Sequence, residues 1–223
     1  FRDCIADITL PFLDDIPIKG YPVEEKDASV GLDRCRRIVA DHINDCEKVL
    51  ERLEHARLTF SREMSAFGQS EILVVGHLCG PYGRKPSPAK VEAIFAMKEE
   101  CNLVTEVRRF LGACVFYHIW IPHYTHIAKP VYGLLKKGRE FEWNKQHVES
   151  VQKLKEALVA APALRKVVYE RGTPVYMTVD TIPIGIGWVI NQEDTGGARF
   201  PIRFGGKVLS ERQRGYAHVK REL

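Results

Sequence analysis

The stretch Leu10-Pro11-Phe12-Leu13-Asp14-Asp15-Ile16-Pro17-Ile18 decides how this chain is read. Adjacent carboxylates stand between two short apolar runs, which is how a β-hairpin tip offering hard oxygen ligands to a divalent cation is written. A plain turn contains the same residues, because Asp hydrogen-bonds its own backbone there. Pro11 and Pro17 cannot donate to a ladder, so the flanking strands are expected to be short or edge-like. A metal site for phosphoryl transfer usually needs a further carboxylate from another strand, and only thirteen residues precede the pair. An incomplete site, in a piece of some longer protein, is the expectation.

With 223 residues, 45% of them hydrophobic, the chain has material for one large domain or two small ones around a folded core. A net charge of +4 permits a polyanionic partner without demanding one. Between Pro81 and Glu140 ten bases, Arg84, Lys85, Lys90, Arg108 and Arg109 among them, stand against five acids. Such a stretch is either a solvated face or one that meets phosphates. The cysteines Cys4, Cys35, Cys46, Cys79, Cys101 and Cys114 show no CxxC or Cys/His spacing, which argues against structural zinc and for reduced intracellular thiols. No run approaches the roughly 20 apolar residues of a membrane span, and no signal-peptide layout opens the chain. No membrane partner is expected.

Along the chain the period changes twice. From Leu32 to Ala56 the residues Leu32, Cys35, Val39, Ile43, Cys46, Leu50 and Leu53 form one helical stripe. Leu73 to Leu78 reads as a strand closed by Gly80-Pro81-Tyr82-Gly83. Ser87-Pro88 starts a helix, Thr105 can cap a second, and Asn144 precedes a third through Val148, Val151, Leu154 and Leu158. Short helices with short loops suggest a small bundle. After Gly172 the period becomes two: Val175 to Val179 and Ile184 to Ile190 read as buried strands, and Glu193-Asp194-Thr195-Gly196-Gly197 turns into a third, Ile202 to Val208. Ser210-Glu211-Arg212-Gln213 fits a capping box, so Glu211 to Leu223 is expected to be helical. Asp180 closes a strand, and Glu222 stands on the helix that follows the three strands. That order can bring the two carboxylates together for two-metal phosphodiester hydrolysis, or leave a strand-end Asp and a solvated helix Glu.

Several linked segments resemble the reverse transcriptase and RNase H of Gypsy-type LTR retrotransposons. Phe12-Leu13-Asp14-Asp15-Ile16 is similar to the family's aromatic-x-Asp-Asp motif. His42 with Val49-Leu50-Glu51-Arg52-Leu53, then Gly68-Gln69-Ser70-Glu71 and Val75-Gly76-His77, resembles its palm helix and primer-grip hairpin. Pro88 to Ile94, Thr105 to Gly112, Phe116-Tyr117 and Ile121-Pro122 resemble its thumb, continued by Phe141-Glu142-Trp143, Leu154-Lys155 and Ala161 to Leu164. Thr178-Val179-Asp180, Gly185-Ile186-Gly187, Tyr216 and Arg221-Glu222-Leu223 resemble the opening of its RNase H domain.

The resemblance implies an α+β fold of three parts. These are a palm remnant with a β-hairpin and primer grip (1–83), a helical thumb and connection (84–170) and a truncated RNase H-like sheet (171–223). It implies that Asp14 and Asp15 hold catalytic Mg²⁺, or Mn²⁺, for nucleotidyl transfer in the intact parent enzyme. Asp180 and Glu222 would be the first metal-binding carboxylates for cleavage of RNA–DNA hybrid. Gly76, His77, Arg84, Lys85, Lys90, Arg108 and Arg109 would follow the backbone of a template–primer or hybrid. Further polyprotein parts or a dimer partner would complete it, in a cytoplasmic particle or the nucleus.

The sequence also departs from the pattern. Met64-Ser65 stands where the family has Lys-Cys, Thr181-Ile182-Pro183 follows Asp180 in place of Ala-Ser, and Lys220 stands where an acid is common. Both metal sites are therefore expected to be incomplete in this span and the span to be inactive alone. The alternative is a decayed or domesticated module that binds nucleic acid or protein without catalysis.

Overall fold

The computed structural model describes residues 3–5, 7–20, 36–136, 138, 140–169, 172–182 and 185–215. The chain divides into two compact units, Phe1–Val75 and Gly76–Leu223. It mixes helices with antiparallel strands, as an α+β chain should.

In the first unit a small hairpin over residues 8–19 precedes helix α1 (Arg37–His55) and strand β1 (Ile72–Val74). The helix turns a different row inward from the expected stripe. Leu32 and Cys35 lie outside the described residues, Val39 and Ile43 are exposed, and Asp45, Val49 and Leu53 are buried. These three follow at four-residue spacing, one turn apart. Hydropathy cannot mark a row that contains a carboxylate; the Asp45 carboxylate accepts a hydrogen bond from Lys48 at 3.2 Å, which offsets its burial. An ion pair from Arg52 to Asp3 ties α1 to the start of the chain, and that hydrogen bond holds the Asp3 carboxyl below its usual range.

At the boundary Val75 (φ 46°) and Gly76 (φ 78°) are both left-handed. The run expected as one strand is thereby cut by a turn, with β2 (His77–Gly80) beyond it. β2 pairs antiparallel with β3 (Gly83–Pro86), from His77 opposite Pro86 to Gly80 opposite Gly83. Helix α2 (Pro88–Phe95) opens on Ser87 and Pro88 as anticipated. Helix α3 (Val104–Phe116) starts one residue before Thr105, which lies in its first turn and does not cap it. Glu106 does, its carboxylate accepting from the amides of Asn102 (2.7 Å) and Leu103 (3.2 Å). A carboxylate at a helix N-terminus also gains from the macrodipole.

A 3₁₀ turn (His118–Trp120) leads to α4 (Tyr124–Gly133), a helix that periodicity did not suggest because Pro130 lies inside it. Helix α5 (Lys145–Val159) is capped by Asn144, whose side chain accepts from the Gln146 amide at 3.1 Å. Val107, Phe110, Leu111, Cys114, Trp120, Ala128, Val131, Val151, Leu154 and Leu158 form one core among these helices. Burial pushes the Cys114 thiol up to about 12. Lys155 is buried too, its ammonium donating to the Met97 carbonyl at the end of α2.

Strands β4 (Val175–Ile182), β5 (Gly185–Glu193) and β6 (Arg199–Val208) form an antiparallel sheet, with Asp180 opposite Gly187 and Gly187 opposite Gly206. Among the described residues β4 pairs only with β5, and Val175, Met177 and Val179, which share one face of the sheet, are exposed where a buried strand was expected. The loop Asp194–Ala198 closes on the Asp194 carboxylate, which accepts from the Gly196 and Ala198 amides at 2.9 Å each. Helix α6 (Glu211–Arg214) begins with the anticipated capping box of Ser210 and Gln213. Residues 216–223, Glu222 among them, lie outside the described residues.

The sheet is joined to the helices by residues 164 and 165. Leu164 exchanges two backbone hydrogen bonds of 2.9 Å with Arg84 on β3, and the Arg165 amide donates to the Pro201 carbonyl on β6 at 3.1 Å. Downstream, the Gln192 side chain, 1% exposed, accepts from the Val168 amide (2.9 Å) and donates to the Val168 and Thr173 carbonyls (2.9 and 3.1 Å). Replacing it with leucine strands those groups without partners. Gln192→Leu should lower unfolding free energy by about 3 kcal/mol in urea denaturation, with faster hydrogen exchange at Val168.

Candidate nucleic-acid interface and carboxylate sites

Asp14 and Asp15 occupy the tip of the first hairpin. Phe12 and Asp15 exchange backbone hydrogen bonds of 2.8 and 3.0 Å around the two-residue loop Leu13-Asp14, with Leu13 at φ 54°. A positive φ at the first loop residue matches the right-handed twist of a hairpin, at a cost of about 1 kcal/mol for a residue with a Cβ. Pro11 and Pro17 limit the pairing to isolated bridges, as expected. Thr9 stiffens the neck by donating to the Pro17 carbonyl at 2.8 Å. Both carboxylates are exposed.

Asp180 stands near the end of β4, also exposed, so it carries none of the desolvation cost expected of a carboxylate on a buried strand. No three or more His, Cys, Asp or Glu side chains among the described residues gather to hold a metal ion. Asp14 and Asp15 stand at a hairpin tip and Asp180 near a strand end, where exposed carboxylates present hard oxygens to solvent.

The basic candidates are better assembled. Gly76 packs so closely that a Cβ there would lie 2.7 Å from the Lys90 ammonium and 3.4 Å from the Phe116 ring. Its carbonyl accepts from the Tyr117 hydroxyl at 2.8 Å and from the Ser87 amide at 3.2 Å. The His77 ring sits edge-on between Phe116 and Trp120, 5.0 Å from each. Lys90 stands 5.2 Å over Phe116, and the Arg84 guanidinium 5.7 Å from the Trp120 ring. Gly76, His77, Arg84 and Lys90 thus surround one aromatic cluster. Lys85 alternates away from Arg84 along β3 and lies over Tyr82 instead, 5.0 Å from its ring.

Arg108 and Arg109 are exposed on α3, one turn before Gly112, which is itself one turn before the exposed Phe116. Gly112 closes the thumb-like stretch that begins at Thr105 and is not among the nucleic-acid-binding residues expected from the sequence. A Cβ there would meet nothing within 4 Å, so no internal packing requires a glycine that costs the helix about 1 kcal/mol relative to alanine. An isolated glycine between helix-periodic residues was the signal for it.

Burial first, then the neighbouring charges of Arg84 and Lys90, lowers the His77 pKa below 6.5, and its buried Nδ1 makes no hydrogen bond. The neutral ring contributes stability that is intact above the unfolded value of 6.5 and lost as pH falls from there through the folded value, because the unfolded chain takes up the proton first. Thermal melts from neutral to mildly acidic pH should show this decline, and His77→Leu should flatten it.

Residues 143–223 match the model of the RNase H-like domain found in reverse transcriptase. The Retrovirus-related Pol polyprotein from transposon 297 of Drosophila melanogaster is 30% identical over 83% of this chain and 17% of the polyprotein. The Transposon Tf2-3 polyprotein of Schizosaccharomyces pombe is 23% identical over 82% of this chain and 14% of its own length. The chain thus spans about a sixth of these relatives. Among solved structures, the foamy viral protease-reverse transcriptase in complex with RNA/DNA hybrid shares the fold over 82% of this chain and 24% of that one, with a TM-score of 0.70 at 22% identity. The dRH form of that protein with ds DNA gives 0.71 at 22% identity, over 82% of this chain and 32% of that one. Residues 143–223 are an RNase H-like domain of the reverse-transcriptase kind, in a chain homologous to the polyproteins of retrotransposons.

Proposed function

We propose that this chain is a duplex-gripping and hybrid-cleaving segment of a Gypsy-type reverse transcriptase, working inside the cell in a particle or the nucleus. The observation that carries the reading is the open glycine on α3. A helix that spends stability on Gly112 at an exposed position, flanked by Arg108, Arg109 and Phe116, is shaped for close approach of another surface. The bases give that surface its charge: Lys90 and Arg84 lie on the aromatic cluster next to Phe116, and Arg108 and Arg109 extend the line by a further two turns of α3. Phosphate contacts of this kind give affinity without sequence preference and a steep dependence on salt. The foamy viral enzymes that share the fold were solved with RNA/DNA hybrid and with double-stranded DNA, which supports a duplex as the ligand.

In this reading Asp14 and Asp15 belong to the polymerase metal site, and Asp180 with Glu222 to the hydrolytic one. Metal dependence is general to RNase H-like domains, and hard carboxylate oxygens favour Mg²⁺, with Mn²⁺ as substitute. Such ions stabilise the attacking and leaving oxygens at phosphorus when bound. The residues' own part is to present carboxylates at a hairpin tip and at a strand end.

The same glycine supplies the test. Gly112→Ala should raise helix stability by about 0.5–1 kcal/mol while weakening binding to an RNA–DNA hybrid severalfold. Thermal melts and fluorescence anisotropy on one preparation would read both. A variant that is more stable and binds as well as the parent would remove the reason for reading α3 as the duplex face.

A further inference from the structure

Helix α1 ends in a turn that folds the chain back on it. The Arg57 amide donates to the Glu54 carbonyl at 2.8 Å and the Leu58 amide to the Leu53 carbonyl at 2.9 Å, with Arg57 left-handed at φ 54°. This is a Schellman closure, here carried by a residue with a side chain where glycine is usual. Phe60 thereby returns beside the last turns of the helix. With Glu47, Leu50, Glu51 and Glu54 it lines an open groove of about 380 Å³. The four helix residues stand three or four apart and so share one face. Phe60 is 52% exposed, Leu50 is half-buried, and the three glutamates are exposed.

The helix carries these carboxylates against its own electrostatics. Glu47 and Glu51 repel at four-residue spacing, and Glu51 and Glu54 stand near the negative end of the helix dipole, where cations are favoured. The lysine and arginine interleaved with the row are engaged elsewhere: Lys48 donates to Asp45 at 3.2 Å and the Arg52 Nε to Asp3 at 3.1 Å. Among the described residues no ion pair includes Glu47, Glu51 or Glu54. The face is also opposite in sign to a chain whose net charge is +4. A polynucleotide is repelled from it. A lone cation leaves the phenyl ring and the leucine unused, and no three or more metal-ligating side chains gather among the described residues. The lining calls for positive charge and apolar surface on one and the same ligand.

We propose that this groove docks a basic segment of a partner protein, with an apolar side chain seated between Leu50 and Phe60 and lysine or arginine side chains paired with Glu47, Glu51 and Glu54. The seated apolar group keeps water from the ion pairs, which strengthens them relative to pairs on an open face. The docking is independent of the grip on a duplex, since the groove lies wholly in the first unit and Arg84, Lys90, Arg108 and Arg109 in the second.

The test uses the whole chain and three synthetic peptides of equal length: a Lys/Leu amphipathic helix, the same peptide with Ser for Leu, and the same with Glu for Lys. Calorimetric titration compares the parent with Glu51→Gln, Phe60→Ser and, as a surface control, Glu149→Gln on α5, while methyl NMR follows Leu50. The proposal expects the Lys/Leu peptide to bind far more tightly than the other two and to shift the Leu50 methyl signals. It expects Glu51→Gln and Phe60→Ser each to weaken that binding severalfold and Glu149→Gln to leave it unchanged. Glu51→Gln removes a repulsion, so its melting temperature should equal or exceed the parent's, which separates a lost contact from a damaged fold. Equal binding of the Lys/Leu and Lys/Ser peptides, or Leu50 methyl signals that stay in place, overturns the groove. So does a parent that self-associates in sedimentation and becomes monomeric with Glu51→Gln, because the occupant is then a second copy of this chain.

Discussion

Two consecutive residues, Leu164 and Arg165, hold the second unit together. The first pairs with β3 and the second with β6, so one extended segment joins a hairpin, a helical core and a sheet through three backbone hydrogen bonds. Gly83 makes the junction possible. At φ 111° it lets β3 approach so closely that a Cβ there would lie well inside the Leu164 carbonyl, a backbone atom that cannot move aside. Leu164 is itself buried in the helical core, and Phe204 from β6 packs against the same core. The basic cluster on one side and Asp180 on the other are therefore parts of one packed body.

Much of this was legible in the sequence because local chemistry and tertiary packing agree there. Asn144 caps α5, Ser87 and Pro88 open α2, and the Asp194 turn joins two strands of period two. The exceptions have separate physical reasons. Helix α4 was hidden by Pro130, since a missing amide inside a helix is usually disruptive. The strand expected over Leu73 to Leu78 overruns the hairpin turn that the resemblance puts at Gly76, because the β-branched Val75 carries no sign that it will be left-handed. The inward row of α1 was hidden because Asp45, buried with Lys48 as partner, reads as surface in any hydropathy pattern.

The carboxylates show the same limit from another side. Asp14, Asp15 and Asp180 were identifiable as residue types at strand ends and a turn, and the structure places them there. What one sequence could not indicate is which uncharged residues surround them. Gly187 and Gly206, in one cross-strand row with Asp180, matter for the side chains they lack.

The match to the RNase H-like domain begins at Trp143, yet α5, which starts two residues later, packs into the same core as α3 and α4. Val151, Leu154 and Leu158 are almost wholly buried there. Each contributes about 1.5–3 kcal/mol by leaving water. The stretch that matches the RNase H-like domain is thus not the stretch that packs as a unit. A protein cut at Trp143 would expose a hydrophobic helix face and lose the Arg84 partner of Leu164. Shuffling of this segment between elements would keep its fold only when the preceding helices travel with it.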